Sequence, residues 1–373
     1  MSIKDIQKIN VMQNQLNTIE NKVKLRQRIT TDEALFLFEK TPLGKLGSMA
    51  NFIRNEINGN NVYYNRNIHI EPTNICLYRC KFCSFSKDFG DKLSWNFTHD
   101  DIISIVRSHI KDNITEIHIT GGVFPGRDIN WFTELILKIK GIMPAVHVKA
   151  LTAIELDYLV KISKISLEEG IDKLKDAGLG SLPGGGAEIL DDKIRSTLCP
   201  EKGPAKLWLK IHETAHNKGI FSNATMLYGH IESYKHRVAH INELRELQDR
   251  THGFNAFVPL KFRKQNNFLS YLPELSIIED LRNYAVARIF FDNIAHIKAY
   301  WPMIGKETAR LALHFGADDL DGTINETTKI YTLAGSEEQS PVMTPNEISE
   351  IITHEGFVPV ERDSMYKAIG FRI

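Results

Sequence analysis

Three of the chain's four cysteines fall within eight residues of "NICLYRCKFCSFSKD" (74–88). Cys76, Cys80 and Cys83 are spaced C-x3-C-x2-C, with Phe82 immediately before the last. Thiolates this close on one loop can wrap one face of a metal or cluster. Structural zinc commonly takes four protein ligands as two separated pairs, and no second pair is present. Cys199 and His99, the nearest further candidates, lack pair-like spacing. Electron-transfer iron–sulfur clusters also normally take four cysteines. Three ligands on a four-iron cluster leave one iron open, and an open iron can do chemistry. A three-cysteine site for another metal, or buried thiols with no ligand role, are the plainer alternatives. Thr73 and Asn74, just after Pro72, suit shaping this loop.

Composition narrows the setting. At 373 residues the chain can bury a large core without disulfides. Lys plus Arg equals Asp plus Glu at 46 each, so charge points to neither a nucleic-acid nor a membrane partner. The polar N-terminus lacks the apolar stretch of a signal peptide, and no apolar run approaches the roughly 20 residues of a membrane span. A cytoplasmic enzyme is expected. In that reducing setting, clustered cysteines suggest metal or redox chemistry.

The elements that must position this loop follow from hydrophobic period. Residues 1–65 read as polar helices, with a Thr/Asp start and a Gly-containing stop in "TTDEALFLFEKTPLGKLGSMANFIRNEING". Short β-branched runs then alternate with helical stretches. The strand candidates are 67–72, 116–122, 146–152, 179–186, 221–227, 255–260, 296–301 and 313–320. Eight such units predict an α/β fold, a (βα)8 TIM-type barrel. It would span 66–325, after an N-terminal helical segment (1–65) and before a C-terminal extension (326–373). An open doubly wound sheet would want a G-x-G-x-x-G turn after the first strand, and none is there. "EPTNIC", "TGGVFPGRD", "LTAIE", "LPGGGAEI" and "TMLYGHIE" all follow strands. A parallel barrel gathers such strand ends on one face, where active sites sit.

A cysteine motif directly after a barrel strand resembles the radical S-adenosylmethionine (SAM) superfamily. That resemblance implies a [4Fe-4S] cluster on Cys76, Cys80 and Cys83, with SAM on the open iron. Cys199 is then expected not to be a ligand, because it would displace SAM. Phe82 resembles the aromatic that lies near the adenine, or it packs beside the cluster. Gly121 and Gly122 resemble the Gly-Gly-Glu turn near the methionine amine, where a Cβ would block approach. Val123 stands where the acid is usual. A plain strand-end turn is the alternative. Glu188, beyond three glycines, either accepts the ribose hydroxyls or begins a helix favoured by the macrodipole. Arg195, about two turns on, either pairs with the SAM carboxylate or is solvated.

Residues 146–240 carry longer likenesses. "ALTAIE", "LCPEK" and "SNATMLYGHIE" resemble the radical enzymes of the futalosine menaquinone route and the related synthase of deazaflavin cofactor assembly, nearest the aminofutalosine synthase family. That family would join the 5′-deoxyadenosyl group of SAM to 3-[(1-carboxyvinyl)oxy]benzoate. Such a pocket must hold two carboxylates, exclude water and align the alkene, a geometry that can supply roughly 7 to 11 kcal/mol of the barrier. Asn223, Tyr228, His230, Arg263 and Lys298 are the candidates. His230 either orients a carboxylate or moves a proton, or is a buried histidine bonded to backbone. Arg263 and Lys298 read more plainly as solvated surface. A low-potential donor such as flavodoxin or ferredoxin is the expected protein partner. A non-catalytic metal-binding module is the alternative of another class.

Overall fold

A computed structural model describes residues 3–325 and 328–369. The N-terminal pattern forms helices Ile3–Lys24, Thr31–Lys40 and Leu43–Asn58. Thr30 starts the second: its hydroxyl accepts the Glu33 N–H while the Glu33 carboxylate accepts the Thr30 N–H. This reciprocal pair satisfies two donors that a helix start leaves free. Gly59, at φ 59°, ends the third helix.

The chain then enters β1 (Asn61–Asn65) and, after Arg66, β2 (Asn67–Ile70). Six further strands complete one sheet: β3 (Glu116–Ile119), β4 (His147–Ala150), β5 (Leu179–Leu182), β6 (Phe221–Tyr228), β7 (Phe254–Lys261) and β8 (His296–Ile297). The seven strands β2 to β8 pair in chain order, all parallel, and every crossover contains helix. This is the curled parallel wall of a TIM-type barrel.

The eighth position differs from expectation. "LHFGADDL" (313–320) is the end of helix Lys306–Leu313 plus a turn through Gly316 at φ 99°. The strand, β9 (Asp319–Gly322), begins only at Asp319 and meets the wall just past β8, where Lys298 bridges Asp319. Asp318 explains the shift: its carboxylate is drawn into the core by Arg288 at 2.5 Å and His296 at 2.6 Å. β9 pairs instead with β1, which also pairs with β10 (Val358–Glu361). Since β1 runs on into β2, this second three-stranded sheet closes the wall from behind. Strand period 2 had not separated β1 from the helical segment, nor marked β10.

Period 2 does assign the faces. Ile68, Ile70, Ile117, Ile119, Val148 and Ala150 are all buried, and alternation turns them together toward the helical layer. Their neighbours His69, His118 and Lys149 share one register and line the barrel interior. Among the described residues no helix is long and apolar enough to cross a membrane.

Candidate active site

The cysteine loop leaves β2 and is bound to itself. The Thr73 hydroxyl donates to Trp95 O at 2.7 Å and accepts the Ile75 N–H. The Asn74 amide donates to Leu93 O and accepts the Trp95 N–H, both at 2.9 Å. These two side chains shape the loop, as their turn chemistry predicts. Burial pushes the Cys76 and Cys83 thiols up. Cys80 is raised first by its hydrogen bond with Cys199 and then by burial. The residue remote in sequence is therefore a neighbour in space. His99, at the head of its helix, sits against Trp131 instead.

The loop fits a thiolate-held cluster. Backbone N–H groups of Val123 and Tyr78 are directed at Cys76, and those of Phe85 and Ser86 at Cys83. Such donors stabilise sulfur anions and tune iron–sulfur sites. Among the described residues, no three His, Cys, Asp or Glu side chains gather as they would on a single ion.

The strand-end turn after β3 holds the loop from below. A Cβ on Gly122 would stand 2.2 Å from Ile75 O and 3.1 Å from Cys76 Cβ. Gly122 is thus the floor on which the cysteine loop rests. The Gly121 N–H donates to Glu155 at 3.1 Å. Glu155, from "LTAIE", also accepts from Thr120 and from Thr152, closing its helix cap. With Val123 in the usual acid's place, a carboxylate reaches the glycine turn from the helix that follows the next strand.

Above the loop lies a cavity of about 280 Å³ in the barrel mouth. Of the sequence candidates, Phe82, Cys83, Gly121, Glu188, Asn223, Arg263 and Lys298 line it. Its charged lining is five cations, Lys149, Lys202, Lys261, Arg263 and Lys298, against two carboxylates, Glu188 and Asp321. Several cations are held from behind: Lys149 by Glu116 at 2.7 Å, Lys261 by Asp280 at 2.7 Å, Arg263 by Glu274 at 3.1 Å. Lys298 meets Asp321 at 2.6 Å. Arg263 and Lys298 are buried, so the solvated surface reading is wrong for both. Burial alone would raise Glu116, but Lys149 and Lys298 outweigh it and hold it well below the usual range.

Two imidazoles sit on the floor. Burial lowers His69 to about 4 and His118 well below its ordinary value, so both are neutral at pH 7. They are 3.4 Å apart, and Tyr300 O–H is 3.4 Å from His69. Two buried nitrogens at this cavity, Arg263 Nε and His118 Nε2, have no hydrogen-bond partner among the described residues. An orphaned buried donor or acceptor is costly, and a bound ligand would satisfy it.

Lys202 is a member that sequence reasoning missed. It bridges Glu188 at 2.5 Å and stands 5.2 Å over the Phe82 ring. Glu188 itself lies in left-handed backbone, φ 47°, at a cost of order 1–3 kcal/mol for a non-glycine residue. It does not begin a helix; the next one starts at Asp192.

A model of the radical SAM superfamily matches residues 70–244, and one of the CofH/MqnC C-terminal region matches 251–371. Aminodeoxyfutalosine synthase of Thermus thermophilus is 39% identical over 355 residues, 94% of this chain and 95% of that protein. The chain belongs to the radical SAM superfamily. A [4Fe-4S] cluster and SAM are accordingly its cofactors. Cyclic dehypoxanthine futalosine synthase of Streptomyces coelicolor is 36% identical, covering 91% of this chain and 85% of that one. A 5-amino-6-(D-ribitylamino)uracil–L-tyrosine 4-hydroxyphenyl transferase of Methanothermobacter thermautotrophicus is 37% identical, covering 91% and 94%. Among solved structures, methylornithine synthase shares the fold with a TM-score of 0.73 at 16% identity, over 91% of this chain and 97% of that one.

Six candidates do not line this radical SAM cavity: Cys76, Cys80 and Gly122 belong to the cysteine loop and the turn beneath it, and three others stand apart. Tyr228 is fully buried and donates to Asp280 at 2.9 Å. Asn223, Thr225 and Leu227 on β6 line the cavity, so alternation turns Tyr228 the other way. His230 is lowered by burial and therefore neutral. Its Nε2–H donates to Leu227 O at 3.0 Å and its Nδ1 accepts the Ile231 N–H at 2.7 Å, the backbone-bonded alternative. Glu232 is also 3.0 Å from Nδ1, but a neutral ring already committed to Ile231 makes no ion pair there. Arg195 is neither solvated nor in the cavity. It is fully buried and donates to the carbonyls of Gly186, Ala187 and Gly203, bracing the glycine turn that carries Glu188.

Proposed function

We propose that this enzyme is an aminofutalosine synthase of menaquinone assembly. It would add the 5′-deoxyadenosyl group of SAM to 3-[(1-carboxyvinyl)oxy]benzoate, with aryl migration and decarboxylation. The products would be 6-amino-6-deoxyfutalosine, methionine and bicarbonate. The supporting observation is the cavity's cationic wall: Lys149, Lys202, Lys261, Arg263 and Lys298 line it, the carboxylate partners of Lys149, Lys261 and Arg263 stand behind it, and Arg263 Nε is unpartnered. Donors presented in this way suit a substrate with two carboxylates.

Cys76, Cys80 and Cys83 hold the cluster in this reading. Bound there, cluster and SAM supply one-electron cleavage of the sulfonium and a 5′-deoxyadenosyl radical. Phe82 packs the adenine. Glu188, oriented by Lys202, accepts the ribose hydroxyls. Lys149, Arg263 and Lys298 bind and orient the substrate carboxylates, with Asn223 donating beside them. Leu227, Val258, Leu260 and Met303 line the remaining wall and exclude water. His69 and His118, neutral, hold no extra proton near the reacting carbon.

A sister reaction begins with hydrogen abstraction and releases 5′-deoxyadenosine. An anaerobic turnover with SAM and the enolpyruvyl benzoate, read by mass spectrometry, separates the two. Adenosyl-containing product is expected. Stoichiometric 5′-deoxyadenosine as the main product would refute the proposal.

A further inference from the structure

The cysteine loop has a second face. Cys80 is buried, and Phe82 and Cys83 turn to the cavity, while Leu77, Arg79 and Lys81 alternate with them and are exposed. One thickness of chain separates the two sides. On the outer side lies a hollow of about 460 Å³ lined by Arg79, Lys81, Phe268 and Tyr271, with Leu269 and Ile231 at its base. Phe268 and Tyr271 are 72% and 74% exposed. The Phe268 N–H donates to Lys81 O at 2.9 Å, so the aromatic segment is fastened to the cysteine loop itself.

Exposed aromatics gathered beside cations mark interaction surfaces. No residue lining this hollow is acidic, whereas the chain as a whole carries no net charge. Arg79 does meet Asp88, an exposed acid outside the hollow. Arg79 is thus shared with Asp88, and Lys81 carries the positive charge of this face. Lys81, on the rim of the hollow, directly follows Cys80 in the chain, so a single peptide unit joins this face to a cluster thiol.

We propose that this face is the electron port, the docking surface for a small acidic one-electron carrier protein. The inference rests on the assignment of the three cysteines to the cluster made above. One electron leaves the carrier, which is oxidised, and the cluster is reduced by one; no bond forms or breaks and no proton moves. Phe268 and Tyr271 supply the apolar contact, and Lys81 with Arg79 selects an acidic partner.

The test compares two reductants on the holoenzyme, with methionine release from SAM as the readout. Any radical SAM reaction scores in this assay, so a wrong substrate assignment leaves the result intact. A flavodoxin hydroquinone is the carrier and titanium(III) citrate the small reductant. Lys81→Glu should raise the flavodoxin concentration for half-maximal rate about tenfold at low salt. The effect should shrink as salt screens the charges. The double variant Phe268→Ser with Tyr271→Ser, outside the cysteine loop, should do the same without the salt dependence. Iron content and the titanium-driven rate should be unchanged in both. An unaltered flavodoxin dependence in both variants overturns the proposal. So does an equal fall with both reductants at full iron content, because that places the residues in structure, not docking.

Discussion

From Thr73 to Trp95 the chain binds itself. Two adjacent side chains clamp both ends of the excursion, and the thiols lie eight residues apart or less. The floor of the cavity is made in the opposite way. Each strand contributes only one or two polar groups: His69 from β2, Glu116 and His118 from β3, Lys149 from β4, and Lys298 and Asp321 from the last turns of the wall. No two of the opposite charges there are close in sequence. A loop bonded to itself tolerates change around it. A floor of buried pairs does not, because removing one partner strands the other.

The largest break of that contrast is in the loop's own function. Replacing Cys76, Cys80 or Cys83 with Ala should abolish the cluster's visible absorbance and all turnover, while the melting temperature of the apoprotein barely moves. In the floor the reverse is expected. Lys149→Met leaves Glu116 buried without its cation and should cost about 3–5 kcal/mol in urea unfolding. Adding Glu116→Gln should recover much of it, and additivity in that double-mutant cycle would contradict the pairing.

Where the two regions touch, Gly122→Ala forces a Cβ into the Ile75 carbonyl and should cost about 1–3 kcal/mol. Iron retention should fall although every thiol remains. Behind the floor, His240 joins the Leu190 N–H to Thr225 O and is lowered by burial to about 3. The unfolded chain binds a proton near pH 6.5 that the folded chain refuses. Stability from neutral His240 is therefore complete above that pH and is lost as pH falls below it, by about 1.4 kcal/mol per unit. Melting curves at pH 7.5 and 5.5 should show a shallower acid loss in His240→Gln. The smallest effect sought is Cys199→Ser: cluster iron and SAM cleavage should persist, and their loss would make Cys199 a ligand after all.

How much was legible follows the same division. The cysteine loop was legible because Cys76, Cys80 and Cys83 fall within eight residues and Thr73 and Asn74 bond inside the same excursion, so their proximity does not depend on the rest of the fold. The parallel wall was legible too, because strand and helix alternate regularly. Tyr228 was chosen from the same strand as Asn223, yet five residues along a period-2 element they cannot face the same way. Arg195 looked free because its true partners are backbone carbonyls, which no side-chain pattern announces. The floor had a signal that went unused: "NIHI", "EIHI" and "HVKA" place a polar residue at every second position. In a parallel strand covered on both faces, such alternation points inward rather than to water.

The pairing of β1 with β10 has a consequence for how the enzyme is made. Asn61 meets Val358 across nearly the whole chain, and β9 meets β1 only a little sooner. A ribosome delivers the cysteine loop early and the strands that shut the wall behind it last. The cysteine loop, whose outer residues stay exposed in the finished fold, does not wait on that closure; the seam of β1 with β9 and β10 does, and its long sequence separation makes it a costly, late contact in folding.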